Sequence, residues 1–147
     1  MSKKILFVCT GNTCRSPLAE GFANAEFQKL GLDYTAESAG LSADEGGANE
    51  KSVLAAGEYG IDISSHRARQ LTQEIADGAE EIYTMTPAQA YLLKQILPHK
   101  KISSLTDEGV SDPFGGSEEV YRRCAREIKN AVEHIGEQLR GIEDCGN

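Results

Sequence analysis

The opening of the chain constrains its fold more than any other segment. Lys4-Ile-Leu-Phe-Val-Cys9 runs into Thr10-Gly11-Asn12-Thr13-Cys14-Arg15, and Ser16-Pro17 follows at once. The run Ile5 to Cys9 has no polar alternation, so it reads as a short strand buried on both faces, as in a parallel sheet. Ser16-Pro17 signals a helix start, with Ser at the cap and Pro at the first helical position. A buried strand feeding a helix through a short loop calls for parallel neighbours covered by helices.

The rest of the chain repeats that alternation. A first helix is expected through Ala19, Phe22, Ala23, Glu26, Phe27 and Leu30, ending at Gly31. A second strand is expected over Tyr34 to Ser38, closed by Ala39-Gly40, and Leu41 to Glu50 reads as a Gly- and acid-rich loop. Helical spacing returns from Asn49 to Tyr59 and stops at Gly60; Thr72 to Asp77 reads as a short helix. Glu81 to Thr86 is a third strand. Thr86-Pro87-Ala88-Gln89 is a capping box opening a helix to about Leu97, closed by Pro98. Lys101 to Leu105 is a fourth strand, and Asp107 to Gly116 a loop. Val120, Cys124, Ile128, Ala131, Val132, Ile135 and Leu139 mark a long amphipathic last helix. The expected fold is α/β: three layers, with a four-stranded parallel sheet between helices. At 147 residues it is one domain over 1–147, with a frayed tail in the last few residues.

Several function classes are excluded at this stage. The longest apolar run is five residues, against the roughly 20 a membrane span requires; it is also too short for a signal peptide, and no small-residue cleavage site follows it. A cytoplasmic protein without a membrane partner is expected. Fifteen basic against 23 acidic residues give a net charge of −8, which repels a polyanion, so nucleic acid is not an expected partner. The charge is uneven. No acid precedes Glu20, whereas Lys3, Lys4 and Arg15 do, and the stretch from Thr106 to Val120 carries five acids and no base. The four cysteines, at 9, 14, 124 and 145, lack zinc-ligand spacing and are expected reduced, so neither a metal nor a disulfide framework is expected.

In parallel sheets ligands bind beyond the carboxyl ends of the strands, which here means the loop after Cys9. A loop between a strand and a helix N-terminus can turn several N–H groups inward as an anion nest. Gly11 allows a bend without a Cβ penalty. Arg15 adds a fork that grips two oxygens of one phosphate. The Gly-Lys-Ser/Thr of a nucleotide-binding loop is absent. Cys9 stands at the base of the cradle instead, where helix dipoles and Arg15 favour the thiolate. A thiolate beneath a bound phosphate is placed for in-line attack on phosphorus.

Cys9-x5-Arg15-Ser16, followed by Pro17-x-Ala19-Glu20, resembles the low-molecular-weight protein-tyrosine phosphatase family. Glu37-Ser38-Ala39-Gly40, His66-Arg67-Ala68-Arg69-Gln70 and Asp112-Pro113-Phe114-Gly115-Gly116 resemble three further segments of that family, in the same order. The resemblance implies no metal or cofactor, phosphorylated proteins or peptides as substrates, and inorganic phosphate as product. It also implies roles. Cys9 is the nucleophile forming a phosphocysteine, and Arg15 with the N–H groups of Thr10, Gly11, Asn12, Thr13 and Cys14 binds the oxygens. Asp112 is the general acid and then the base. Ser16 donates to the Cys9 sulfur or is merely a helix cap; Asn12, Ser38 and His66 brace the loop. Cys14 is either core or a thiol that traps oxidised Cys9.

Thr13 occupies the family's variable loop position, where tyrosine-specific members usually carry a larger aliphatic residue. Together with Phe114, it resembles the bacterial protein-arginine phosphatase subgroup, so phosphoarginine is favoured and phosphotyrosine is the alternative. Arsenate reductases of the same fold need further cysteines near Tyr83 to Ala90, where this chain has none. A non-catalytic phosphate-binding module would need neither Cys9 nor Asp112.

Overall fold

The structure is a computed structural model that describes residues 2–145. Nine elements follow in order: β1 Lys3–Cys9, α1 Arg15–Lys29, β2 Tyr34–Gly40, α2 Glu50–Gly57, α3 Gln73–Asp77, β3 Glu81–Thr84, α4 Pro87–Ile96, β4 Ile102–Ser104 and α5 Glu118–Cys145. The strands form one parallel sheet in the order β2-β1-β3-β4. This is the expected four-stranded sheet with helices on both faces.

The apolar run of β1 is explained by its central place. Ile5, Phe7 and Cys9 face one core with Leu18, Phe22, Tyr121 and Ile128, whereas Leu6 and Val8 face a second with Ala39, Ile82, Leu93 and Ile102. The period of two in a strand sends successive side chains to opposite layers, and both layers are roofed. Cys9, at the strand's end, therefore points to the α1/α5 side. The long helix α5 supplies most of that roof. Tyr121, Cys124, Ala125, Ile128, Val132, Ile135 and Leu139 are all buried at spacings of one, three and four.

Helix ends follow local chemistry in most places. Thr86 and Gln89 form the reciprocal capping box, and Asn49 and Thr72 cap α2 and α3. Gly31, at φ 67, takes the left-handed step after α1, and Leu32 N–H closes on the Phe27 carbonyl at 2.9 Å. The start of α1 differs from expectation. Its cap position is Cys14, with no side-chain cap bond, and Ser16 lies inside the helix, fully buried. Its hydroxyl is engaged elsewhere. β2 runs on to Gly40, because β1 pairs with it in register as far as Cys9 opposite Gly40. α5 continues to Cys145, and the frayed tail expected in the last few residues lies outside the described residues. No helix among the described residues is long and apolar enough to cross a membrane.

Ile128 is fully buried where α5 meets α1 and the sheet. Ile128→Ala is expected to cost about 2–5 kcal/mol as transfer plus cavity energy, read as a lower urea midpoint with an unchanged slope.

Candidate active site

The loop 9–14 joining β1 to α1 has a consistent orientation. Each of its six carbonyls accepts a bond directed away from the loop's concave side. Cys9, Thr10 and Gly11 accept from Leu41, Ser42 and Asp44 N–H at 2.9 Å each, and Thr13 accepts from Asn49 N–H at 2.8 Å. Cys14 accepts from Leu18 N–H within α1 at 3.4 Å. Asn12 accepts from His66 Nε2 at 2.8 Å. A carbonyl can only accept, so Nε2 of His66 carries the proton. With the oxygens held outward, the loop presents its amide edge inward, as an anion nest requires.

Asn12 is the knot of this arrangement. It has φ 60, a left-handed conformation that Asn tolerates better than most residues. The left-handed step therefore falls on Asn12 rather than on Gly11, where the sequence placed the bend. Its side chain is fully buried and fully bonded. Nδ2 donates to Ser16 Oγ at 2.8 Å and Ser38 Oγ at 3.0 Å, and Oδ1 accepts from Arg69 N–H at 2.9 Å. Ser38 in turn donates to Glu20 Oε1 at 2.8 Å. Because Asn12 donates to Ser16, the Ser16 hydroxyl proton is free to point at Cys9 Sγ, 2.8 Å away. Asn12 N–H also points at that sulfur, at 3.3 Å. The sulfur thus accepts from two donors, the surroundings a departing thiolate needs.

Gly40 sits behind the loop. A Cβ there would lie 2.7 Å from the Thr10 carbonyl oxygen and 3.1 Å from Asn12 Cβ, so only glycine lets β2 approach this closely.

Arg15 is nearly buried, at 4% exposure, and its Nη1 donates to the Val110 carbonyl at 2.8 Å. Its Nη2 is 3.8 Å from Asp112 Oδ2. One guanidinium therefore ties the loop at 9–14 to the loop at 110–116. Asp112 Oδ1 accepts from Phe114 N–H at 3.0 Å, which fixes the carboxylate and leaves Oδ2 turned to Arg15. Lys51 Nζ donates to the Gly116 carbonyl at 2.7 Å and lies over the Tyr121 ring, tethering the far end of the loop.

These groups surround a cavity of about 330 Å³ lined by Cys9, Thr10, Gly11, Thr13, Cys14, Arg15, Ser42, Asp44, Asp112 and Phe114. Phe114 is 75% exposed at its rim. Asn12 and Ser16 do not line it. They lie behind the loop with Ser38, and His66 grips it from the side. Cys14 is buried against Tyr121, its Sγ 3.6 Å from the hydroxyl, and burial pushes its thiol up. Burial pushes the Cys124 thiol up to about 12. Among the described residues no cluster of three or more His, Cys, Asp or Glu is placed to hold a metal.

Several participants had no assigned role from sequence. Arg69 orients Asn12 through its backbone and grips the Ser38 carbonyl at 2.9 Å through Nε. Gln89, legible as a capping residue, also donates to Thr10 Oγ1 at 3.1 Å. Val110, Ser42 and Asp44 reach the site by chain topology, which no local pattern announces.

The chain matches the family model described as low molecular weight phosphotyrosine protein phosphatase over residues 4–142. It is 36% identical to a protein-arginine-phosphatase of Geobacillus stearothermophilus, covering 95% of this chain and 98% of that one. It is also 36% identical to an arsenate reductase of Staphylococcus epidermidis, over 89% of this chain and 94% of the other. A solved low molecular weight protein tyrosine phosphatase from T. tengcongensis superposes with a TM-score of 0.88 at 40% identity, covering 93% of this chain and 99% of that chain.

Asn12→Ala is expected to combine left-handed strain of about 1–2 kcal/mol with three lost side-chain bonds of about 0.5–1.5 kcal/mol each. Asn12→Gly removes the strain and keeps the loss. Vanadate titration should therefore show anion affinity weakened in both variants, while thermal unfolding separates them.

Proposed function

The chain belongs to the low molecular weight phosphotyrosine protein phosphatase family, and from that premise we propose that it is a cysteine-dependent protein phosphatase acting preferentially on phosphoarginine. The observation that carries this reading is the stacking of groups along one cavity. Cys9 Sγ lies at its base under an inward amide edge, Arg15 is buried beside it, and the Asp112 carboxylate closes the wall within 3.8 Å of Arg15.

The reaction follows from that order. A phosphoryl group settles against the amides of the loop and the Arg15 fork, whose donors tighten as charge spreads over the equatorial oxygens. The Cys9 thiolate attacks phosphorus and an S–P bond forms. The bond to the leaving nitrogen breaks, its electron pair stays on nitrogen, and Asp112 supplies the proton. Water then attacks the phosphocysteine and gives its proton to Asp112. The S–P bond breaks with its pair returning to sulfur, where Ser16 hydroxyl and Asn12 N–H receive the thiolate. Phosphate leaves, and no cofactor enters the balance.

Thr13 supports arginine over tyrosine. The phosphoryl group is common to both substrates, so discrimination falls on the walls about the leaving group, and Thr13 is one of them. Its hydroxyl suits a polar guanidinium better than a flat phenol. The protein-arginine-phosphatase relative supports the same choice. Phe114 sides with Thr13 in resembling the arginine subgroup; phosphotyrosine is the second reading because a phenol can also pack against that exposed ring. Arsenate reduction needs a thiol to take over from the first, and exchange runs through thiolates. The buried, protonated Cys124 and the absence of any cysteine between Cys14 and Cys124 weigh against it.

Side-by-side kcat/KM values for phosphoarginine and phosphotyrosine peptides test the substrate assignment; a wild-type enzyme that handles phosphotyrosine far better would overturn it. Thr13→Ile should move the ratio towards phosphotyrosine by about tenfold, since a lost hydrogen bond and added apolar contact act together at about 1.4 kcal/mol per decade. Cys9→Ser should lose turnover yet retain phosphate binding. Asp112→Asn should slow turnover by about 10²–10⁴-fold, less for good leaving groups. An equal loss across aryl phosphates of widely different leaving-group pKa would exclude Asp112 as the acid.

A further inference from the structure

A carboxylate stands in this anion-binding cavity with no part in the chemistry above. Asp44, in the loop after β2, lines the same space as Cys9, Arg15 and Asp112. Its backbone N–H is fixed on the Gly11 carbonyl at 2.9 Å. Its side chain folds over Gly11, where a built Cβ would lie 2.3 Å from Asp44 Oδ2 and 3.6 Å from Thr13 Oγ1. The carboxylate and the Thr13 hydroxyl thus share one wall, and Gly11 leaves the space the carboxylate fills. Among the described residues the Asp44 side chain has no hydrogen-bond or ion-pair partner.

Electrostatics makes this placement informative. A phosphoryl dianion seated on the loop is repelled by a carboxylate beside Gly11; that carboxylate is exposed and partly screened by solvent, but no described residue pairs with it. A substrate that is neutral beyond its phosphate leaves the repulsion standing. A substrate with a cation one bond from phosphorus offsets it, and a phosphoguanidinium has that distribution, with N–H donors matched to a carboxylate.

We propose that Asp44 is the specificity-determining residue that selects a cationic leaving group, its carboxylate pairing with the guanidinium of phosphoarginine while the loop holds the phosphoryl group. This rests on the phosphoarginine reading and deepens it. Asp44 takes no proton and forms no bond to phosphorus. It works by making the cavity's outer wall negative where its base is positive, so the substrate's own charge separation fits one way.

The test compares wild type, Asp44→Asn and Asp44→Glu on four substrates. Two are phosphoarginine and phosphotyrosine peptides. The others are phenyl phosphate and its analogue bearing a para guanidinomethyl group, which share a leaving oxygen and differ in charge. Asp44→Asn keeps the side-chain size and the backbone bond to Gly11. It should lower kcat/KM for phosphoarginine and for the cationic phenyl phosphate by about tenfold, and raise it for the neutral pair by about two- to threefold. Asp44→Glu should keep part of the cation preference. In wild type that preference should shrink as salt is raised. Parallel changes in the two phenyl phosphates, or a wild-type preference indifferent to salt, would overturn the assignment. Wild type inert to phosphoarginine, but with a cation preference that Asp44→Asn removes, would overturn the phosphoarginine reading and leave Asp44 as a cation selector.

Discussion

The outward pinning of the loop carbonyls is the constraint on which the rest of the site depends. Six consecutive peptide groups, residues 9–14, must face the same way for their amides to converge, and an isolated loop of this length has no reason to hold that shape. Here the oxygens are taken by Leu41, Ser42, Asp44, Asn49 and His66 from outside and by Leu18 from α1. Preorganisation of this kind removes the reorganisation that water would undergo as charge moves to the phosphoryl oxygens. The Asn12 side chain does the same from behind, converting strand β2 and the segment at 66–69 into a fixed backing.

The second organising element is Arg15. Being buried, it needs partners, and it finds them in the Val110 carbonyl and, at longer range, the Asp112 carboxylate. The same guanidinium that can grip a phosphoryl group thereby locates the loop carrying Asp112. Lys51 holds the other end of that loop at Gly116. Cys9 and Asp112 lie 103 residues apart in sequence (112 − 9), and Arg15, the Lys51 tether and the Val110 N–H bond to the Met85 carbonyl at 2.7 Å together hold their loops side by side.

Much of this is legible in the order of residues alone. The unalternating run of β1 requires a strand covered on both faces, and the two cores meeting at Ile5–Cys9 are its direct expression. The capping box at Thr86 and Gln89 and the stripe on α5 specify two helices, because both are local codes. Ser16 is less simple. It has the residue type and position of a helix cap, but Asn12 and Cys9 claim its hydroxyl, and the helix begins without a side-chain cap. The left-handed step falls on Asn12 and not on the neighbouring glycine for a related reason: at Asn12 the same conformation also delivers an amide side chain to three partners. The contact of Gln89 with Thr10 and the places of Val110 and Asp44 are illegible because they depend on how distant segments meet. A pattern of hydrophobicity records which face is buried, not which polar atom waits on the other side.

The wide reach of the loop's restraints also bears on how the chain acquires activity. His66 and Arg69 lie 54 and 57 residues from Asn12, Gln89 lies 79 from Thr10, Val110 lies 95 from Arg15 and Tyr121 lies 107 from Cys14. Contacts so distant in sequence close late, after their loop-closure entropy has been met. The strand and first helix can form while the nest between them is still slack. Recovery of turnover during refolding should therefore report the consolidation of the whole chain rather than the return of its helices alone.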